Sequence, residues 1–251
     1  MTLWRSLVTM LALSLIAACD RLPDYRYKMT IYVNTPDGEK AFSSVRQVRV
    51  EEVKSLADSS GLSQRVQLEG EAVILDLTGG PVFALLNKPD NRDYGHYIVY
   101  AALSPTPQVE ADSAEQDDLL SNHRGATAYF DDRAKRLQEM VKVKGPRELP
   151  RARASHHPDR NPQPVALWPM FVRFSDLADP ASVRELSPDE IGVTRITIEI
   201  TRDPVSKQIF NWLPWLRNQH GSLVQPNLSE AAAAQPLPTR ITEGSFYRTI
   251  P

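Results

Sequence analysis

Residues 25 to 34, YRYKMTIYVN, alternate with period two: Tyr25, Tyr27, Met29, Ile31 and Val33 fall on one side, and Arg26, Lys28 and Thr30 on the other. Successive side chains of a strand point to opposite faces, so this pattern predicts a half-buried β-strand. Thr35-Pro36-Asp37-Gly38-Glu39 is dense in turn formers, and AFSSVRQVRVEEV beyond it again has strand character, so the two runs read as a β-hairpin. Three more apolar segments follow: Val66 to Leu77, with Gly70 placed for a bulge, Val82 to Leu86 after the turn Gly79-Gly80-Pro81, and Tyr97 to Leu103. All are expected as strands. The fold class that results is α+β, a mainly antiparallel β-sheet with a few short helices.

Helical signals come later in the chain. Ser113-Ala114-Glu115-Gln116 has capping-box spacing, with Leu119 and Leu120 after it and Gly125 to end the segment. From Asp131 to Lys144, Ala134, Leu137 and Met140 or Val141 fall at helical spacing, with Lys142, Lys144 and Gly145 closing the run. The chain then changes character, because fourteen of its twenty prolines lie between Pro146 and Pro251. Residues 145 to 164 hold five prolines, six Arg or His residues and few apolar side chains, which predicts a loop or extended connector without a domain boundary. Beyond it, Trp168 to Phe174 and Val193 to Arg202 are expected as strands, with capped turns at Asp179-Pro180 and Ser187-Pro188-Asp189-Glu190 between them. In the second of these strands Ile196, Ile198 and Ile200 mark the core face. The organisation expected is a leader over 1–18, one mainly β domain over 19–216, and a poorly ordered, proline-rich tail over 217–251.

The leader itself, MTLWRSLVTMLALSLIAAC, carries Arg5, the apolar run Leu7 to Ala18, and small residues before Cys19, which is the layout of a secretory signal peptide. Twelve residues fall short of the ~20 needed to span a bilayer as a helix, and Asp20, Arg21 and Asp24 follow at once. Cys19 is the single cysteine of the chain, so no internal disulfide can form and no zinc site with two thiolates exists. Ile16-Ala17-Ala18-Cys19 resembles the lipobox of bacterial lipoprotein precursors. That resemblance implies that the Cys19 thiol carries a diacylglyceryl thioether and that cleavage exposes its amine for further acylation, such as by palmitate. Two or more acyl chains give stable tethering, each buried CH₂ contributing about 0.8 kcal/mol. Asp20, directly after the cysteine, resembles the signal that retains enterobacterial lipoproteins at the inner membrane. The expected address is therefore the periplasmic face of the inner membrane, with the outer membrane as the alternative.

Charge narrows the partners. With 29 basic and 31 acidic side chains, the formal charge is -2, and nothing in that balance gathers phosphates over the whole surface; nucleic acid is not an expected partner. His156-His157 with Asp159 is the one cluster suggestive of a metal, but no third ligand stands at a recognisable spacing and a solvated loop is the plainer reading. His96, His123 and His220 are isolated. There is no Gly-x-Ser-x-Gly elbow, no phosphate-cradling glycine loop and no His-Glu-x-x-His, so neither a catalytic residue nor a cofactor or metal is expected. The basic side chains Lys142, Lys144, Arg147, Arg151, Arg153 and Arg160 could rest on anionic head groups, although hydrated loops commonly look the same. Ile209, Trp212, Leu213 and Leu216 have i, i+3, i+4, i+7 spacing; packing of a short closing helix bent near Pro214 explains them better than an exposed partner face.

RYKMTIYVNTPDG, SSVRQVRV, GEAVILDL, VFALL, FVRFSDLADPASV, TRITIEITRDPV and LPWL, taken together, resemble segments of an uncharacterised family of bacterial exported proteins. The resemblance implies one scaffold over residues 25 to 216 and transfers no catalytic residue. Two functional expectations follow. The first is a membrane-anchored envelope lipoprotein with a binding or assembly role. The alternative is a lipid-anchored periplasmic hydrolase whose site lies between the sheet and the loop 145 to 164, with His156 or His157 meeting a carboxylate there.

Overall fold

A computed structural model describes residues 23–54, 62–89, 91, 93–104, 133–153, 164–227, 229, 231 and 234–250. The strands are β1 (Tyr25–Thr35), β2 (Gly38–Lys54), β3 (Leu62–Glu71), β4 (Val73–Leu75), β5 (Val82–Ala84), β6 (Arg147–Glu148), β7 (Ala152–Arg153), β8 (Val165–Ala166), β9 (Phe171–Phe174), β10 (Val183–Leu186), β11 (Val193–Thr201) and β12 (Tyr247–Arg248). The helices are short: α1 (Tyr94–Leu103), α2 (133–140), α3 (Ile209–Trp212) and α4 (Leu237–Arg240). A six-stranded sheet has the order β12-β3-β2-β1-β11-β6, a four-stranded sheet the order β10-β9-β5-β4, and β7 and β8 form a separate pair. The fold is mainly antiparallel β-sheet with few short helices, as the alternation predicts.

Alternation explains β1 directly. Tyr25, Tyr27, Met29, Ile31 and Val33 are all buried, and the two-residue turn Pro36-Asp37 returns the chain with Thr35 opposite Gly38. β11 lies on the other side of β1 in a register that slips between Tyr32 and Val33: Tyr32 faces Arg195, but Val33 faces Val193. Thr194 is thus an extra residue, a β-bulge, and it turns Val193 back onto the same buried side as Ile196 and Ile198. A strict period of two would have put Val193 with Arg195 on the outer face.

The four-stranded sheet packs apolar side chains on both faces; its strands β4 and β5 read as unbroken apolar runs for that reason, while β9 and β10 also carry Arg173, Arg184 and Glu185. Val73, Leu75, Val82, Ala84, Phe171 and Leu186 pack toward the large sheet in one core, while Phe83, Val172, Phe174 and Val183 enter a second core on the opposite side. In the second core Phe83 meets Phe174 edge to face at 5.8 Å, and Phe246 at 6.1 Å. Ile209, Leu213 and Leu216 close it from a bent segment, α3 followed by a 3-10 turn Pro214–Asn218, so their spacing serves packing. Glu71, 3% exposed, accepts from the amides of Gln208 and Ile209 at 2.6 and 2.8 Å and so ties the start of α3 to the sheet. Burial pushes its carboxyl up from the usual range, and those two amides and Arg46 oppose the shift.

Three expectations are corrected. Tyr97 to Leu103 is helical: the helix begins at Tyr94, and Tyr94, Ile98, Val99 and Leu103 share its buried side. The run Tyr-Ile-Val-Tyr-Ala-Ala-Leu shows no period by itself, and the β-branched pair pointed to a strand until tertiary contacts decided otherwise. Gly95 lets the helix seat closely, since a Cβ there would stand 2.4 Å from Leu68 Cδ2 and 2.9 Å from the Leu86 carbonyl oxygen. Second, the tail is packed where it is described. Leu223, Ile241 and Phe246 are buried in the second core, and β12 pairs with β3, Tyr247 opposite Glu71. Third, the connector contributes β6 and β7, and only Phe171–Phe174 of the expected Trp168 to Phe174 strand is extended. The helix expected over 131 to 144 is present over 133–140, with Leu137 and Met140 buried. The expected helix near 113 to 125 lies outside the described residues. The two capped turns form as read: Asp179 Oδ1 accepts from Ala181 N, and Ser187 and Glu190 bond reciprocally.

Candidate functional site

Packing of the C-terminal segment against the loop after β5 leaves a cleft of about 480 Å³. One wall is the loop, with Asn87; the other is built by Arg240, Glu243 and Arg248. The second wall is shaped by a capping box, in which Thr242 N donates to Ser245 Oγ at 3.4 Å and a 3-10 turn follows over Glu243–Ser245. Two backbone bonds hold the walls together: Leu86 N donates to Ser245 O at 2.8 Å and Ala72 N to Phe246 O at 2.7 Å. The cleft is therefore a consequence of Phe246 and Ile241 being drawn into the second core, with the polar residues between and beside them left at its rim.

Asn87 is the pivotal side chain. It is 3% exposed, and its Nδ2 donates to the Gly244 carbonyl at 3.1 Å, which fixes the amide plane. Its Oδ1 has no partner among the described residues, and neither does the buried Oε2 of Glu243 in the same cleft. A buried acceptor left unmatched costs on the order of 1–3 kcal/mol, so a donor entering the cleft gains what the fold leaves unmade. Arg240, at the end of α4, stands exposed on the rim, and Arg248 Nε donates to the Gly244 carbonyl at 3.3 Å. The set can accept N–H or O–H groups at its base and meet an acceptor or a negative charge at its edge.

The residues singled out from sequence fall elsewhere. Cys19, His123, His156, His157, Asp159 and Arg160 lie outside the described residues. His220 is exposed. His96 sits on α1, where burial lowers its pKa to about 4, with Asp93 raising it and Arg133 lowering it further. Among the described residues no three His, Cys, Asp or Glu side chains gather to hold a metal ion, and no helix is long and apolar enough to cross a membrane. Among the described residues, the basic side chains from 142 to 153 do not make one strip. β6 pairs with β11, Arg147 opposite Ile198 and Glu148 opposite Thr197, so the chain before it leads toward the Thr201 end and the chain after it toward the Val193 end. Lys142 and Lys144 are exposed toward the first, whereas Arg151 forms a bidentate pair with Asp189 at 3.0 and 2.7 Å and Arg153 lies over the Tyr97 ring at 4.6 Å. The Asp189 bond holds that carboxyl below its usual range and the Arg151 guanidinium above its own.

The sequence reading missed the cleft because both its walls lay in unpromising text, a loop after an apolar strand and a proline-rich tail. One signal was there: Ile241 and Phe246 flank Thr242-Glu243-Gly244-Ser245, a polar turn between two apolar anchors.

No protein-family model, no curated protein and no solved structure matches the chain.

Proposed function

We propose that this chain is a lipoprotein of the bacterial cell envelope, tethered through Cys19 at the periplasmic face of the inner membrane, with the outer membrane as the alternative address, and that its C-terminal cleft binds a small polar ligand. The binding part of this reading is carried by one observation, the buried Asn87 whose Oδ1 lacks a partner in a cleft that also holds Glu243 Oε2. The tether is supported by the leader and the lipobox, and by the start of β1 at Tyr25, six residues past Cys19. Six residues span at most ~21 Å, so an acylated Cys19 holds the folded body close to the bilayer. The hydrolase alternative rests on His156 and His157 and has no support among the described residues.

Two measurements test the two halves separately. Intact mass of membrane-extracted protein is expected to give a chain beginning at Cys19 and heavier by its acyl groups; an unmodified full-length mass removes the tether. For the cleft, a thermal-shift panel of amino sugars and amino acids is expected to include a stabilising member for the wild type that has no effect on Glu243→Gln. A panel without effect on either protein, or with equal effect on both, removes the cleft as the binding site.

A further inference from the structure

A second opening, about 320 Å³, lies between the two sheets at the end of the molecule that carries the Pro36-Asp37 turn. The larger sheet supplies Asn34 and Lys40; the smaller supplies Arg173 and Arg184, with Glu190 from the turn that follows β10. Alternation aims the arginines. On β9, Val172 and Phe174 enter the second core, so Arg173 shares the other face with Phe171, toward the large sheet, and stands where the apolar filling between the sheets ends. On β10, Val183 enters the second core and Arg184 takes the opposite side.

In the antiparallel register Arg184 is directly opposite Arg173. Like charges at that position destabilise a strand pair unless something negative answers them. Most of the local cations are answered from within the chain: Lys40 by Asp37 at 3.3 Å, Arg184 by Glu190 at 3.9 Å. Arg173 has no carboxylate within 4 Å among the described residues; Glu190, on the same cleft, is held below its usual carboxylate range first by its bonds from Ser187 and then by the fields of Arg184 and Arg173. Arg173 Nη2 donates to the Gly80 carbonyl at 3.3 Å, and the buried Nε of Arg173 has no partner. The carbonyl is presented by a turn in which Gly79 and Gly80 both have positive φ, +98° and +103°, a conformation costly for any other residue. The guanidinium is thus oriented by a dedicated turn, set against a second arginine beside an open cleft, and carries an unmatched donor at its buried Nε.

We propose that this mouth is an anion site, in which Arg173 binds a phosphate or carboxylate group of a ligand, with Arg184 and Lys40 at the rim. A guanidinium offers two parallel N–H groups to either anion, and the anion offsets the repulsion between the two opposed arginines. The site shares no residue with the Asn87 cleft and does not depend on the ligand proposed there.

Inorganic phosphate and acetate are the probes, titrated into the full-length protein at constant ionic strength with chloride as the control, while the Arg Nε–Hε resonances are followed by NMR. The expected result is a saturable shift of the Arg173 resonance with at least one probe, and the tighter of the two names the acid group. Arg173→Gln is expected to weaken binding by about tenfold or more, and Arg184→Gln, at an exposed position, by about two- to threefold. Arg184→Glu supplies an internal carboxylate opposite Arg173 and is expected to abolish the shift in a folded protein. The proposal is overturned if both probes give only the response seen with chloride, or if Arg184→Glu binds as tightly as the wild type.

Discussion

The two faces of the four-stranded sheet are covered by opposite strategies. On one side, long alternating strands and the helices α1 and α2 bury Tyr27, Met29, Ile31, Ile196 and Ile198. On the other, the cover is assembled from short pieces far apart in sequence, among them Ala72, Ile209, Leu213, Leu223, Ile241 and Phe246. The first core is periodic and the second is anecdotal: each of its pieces contributes one to three anchors between polar residues. An ordered core does not require a periodic sequence, and the polar residues between those anchors are the ones that line the Asn87 cleft.

The largest effect expected from breaking this arrangement is at Phe246, which is fully buried and within 5.8 Å of the Phe174 ring and 6.1 Å of Phe83. Phe246→Ala should cost about 3–5 kcal/mol, and Met29→Ala in the first core about 2–5. Because the same thin sheet is the floor of both cores, each substitution should lower one shared unfolding transition. Calorimetry that resolves a separate low-temperature transition for Phe246→Ala would show that the second core melts by itself.

This comparison also explains what could be read from sequence. β1, its hairpin with β2, and β11 were legible because one buried face and one wet face impose a period of two on the residues themselves. The Thr194 bulge was not, since it is defined only by the partner strand's register. α1 was misread because its apolar run is buried on most sides and has lost its period, and the tail because isolated Ile241 and Phe246 are outnumbered by prolines and polar residues. Of the candidate clefts, the one at Arg173 and Arg184 exists only through strand pairing, which sets the two arginines opposite one another and leaves no mark in either segment alone.

Gly70 sharpens the comparison at the joint between the two regions, where the chain leaves the large sheet for the small one. Its φ of +140° and a would-be Cβ at 2.9 Å from Arg46 Cγ leave no room for a side chain. Gly70→Ala should cost about 2–3 kcal/mol, visible as a lower denaturant midpoint with the slope unchanged. A neutral result would mean that this joint relaxes freely.

His96 probes the helical side of the first core through pH. Its folded pKa of about 4 lies below the ordinary value of 6.5 because burial disfavours the imidazolium, so the unfolded chain takes the proton first. Stability should therefore fall as pH drops below about 6.5, and the loss should be complete below about 4, amounting to roughly 3 kcal/mol. His96→Gln should flatten that limb between pH 6.5 and 4, as followed by urea titrations across the range. An unchanged limb would assign acid sensitivity to other groups.

The smallest expected change concerns the most unusual residue of the first core. Arg46 is fully buried, with Nε donating to the Glu71 carbonyl at 3.1 Å, the guanidinium 6.0 Å from the Tyr27 ring centre, and both terminal nitrogens without partners among the described residues. Desolvating a cation is expensive, and replacing a buried charge by an apolar side chain of similar volume is often neutral or stabilising. Arg46→Met should accordingly change stability by less than about 1 kcal/mol, or raise it, because the linear side chain still fills the space over Gly70. Arg46→Ala, which empties that space, should be clearly worse than Arg46→Met. If the methionine variant instead loses more than about 3 kcal/mol, the terminal nitrogens have partners, and the polar seam around Glu71 holds the two cores together as firmly as their apolar contacts do.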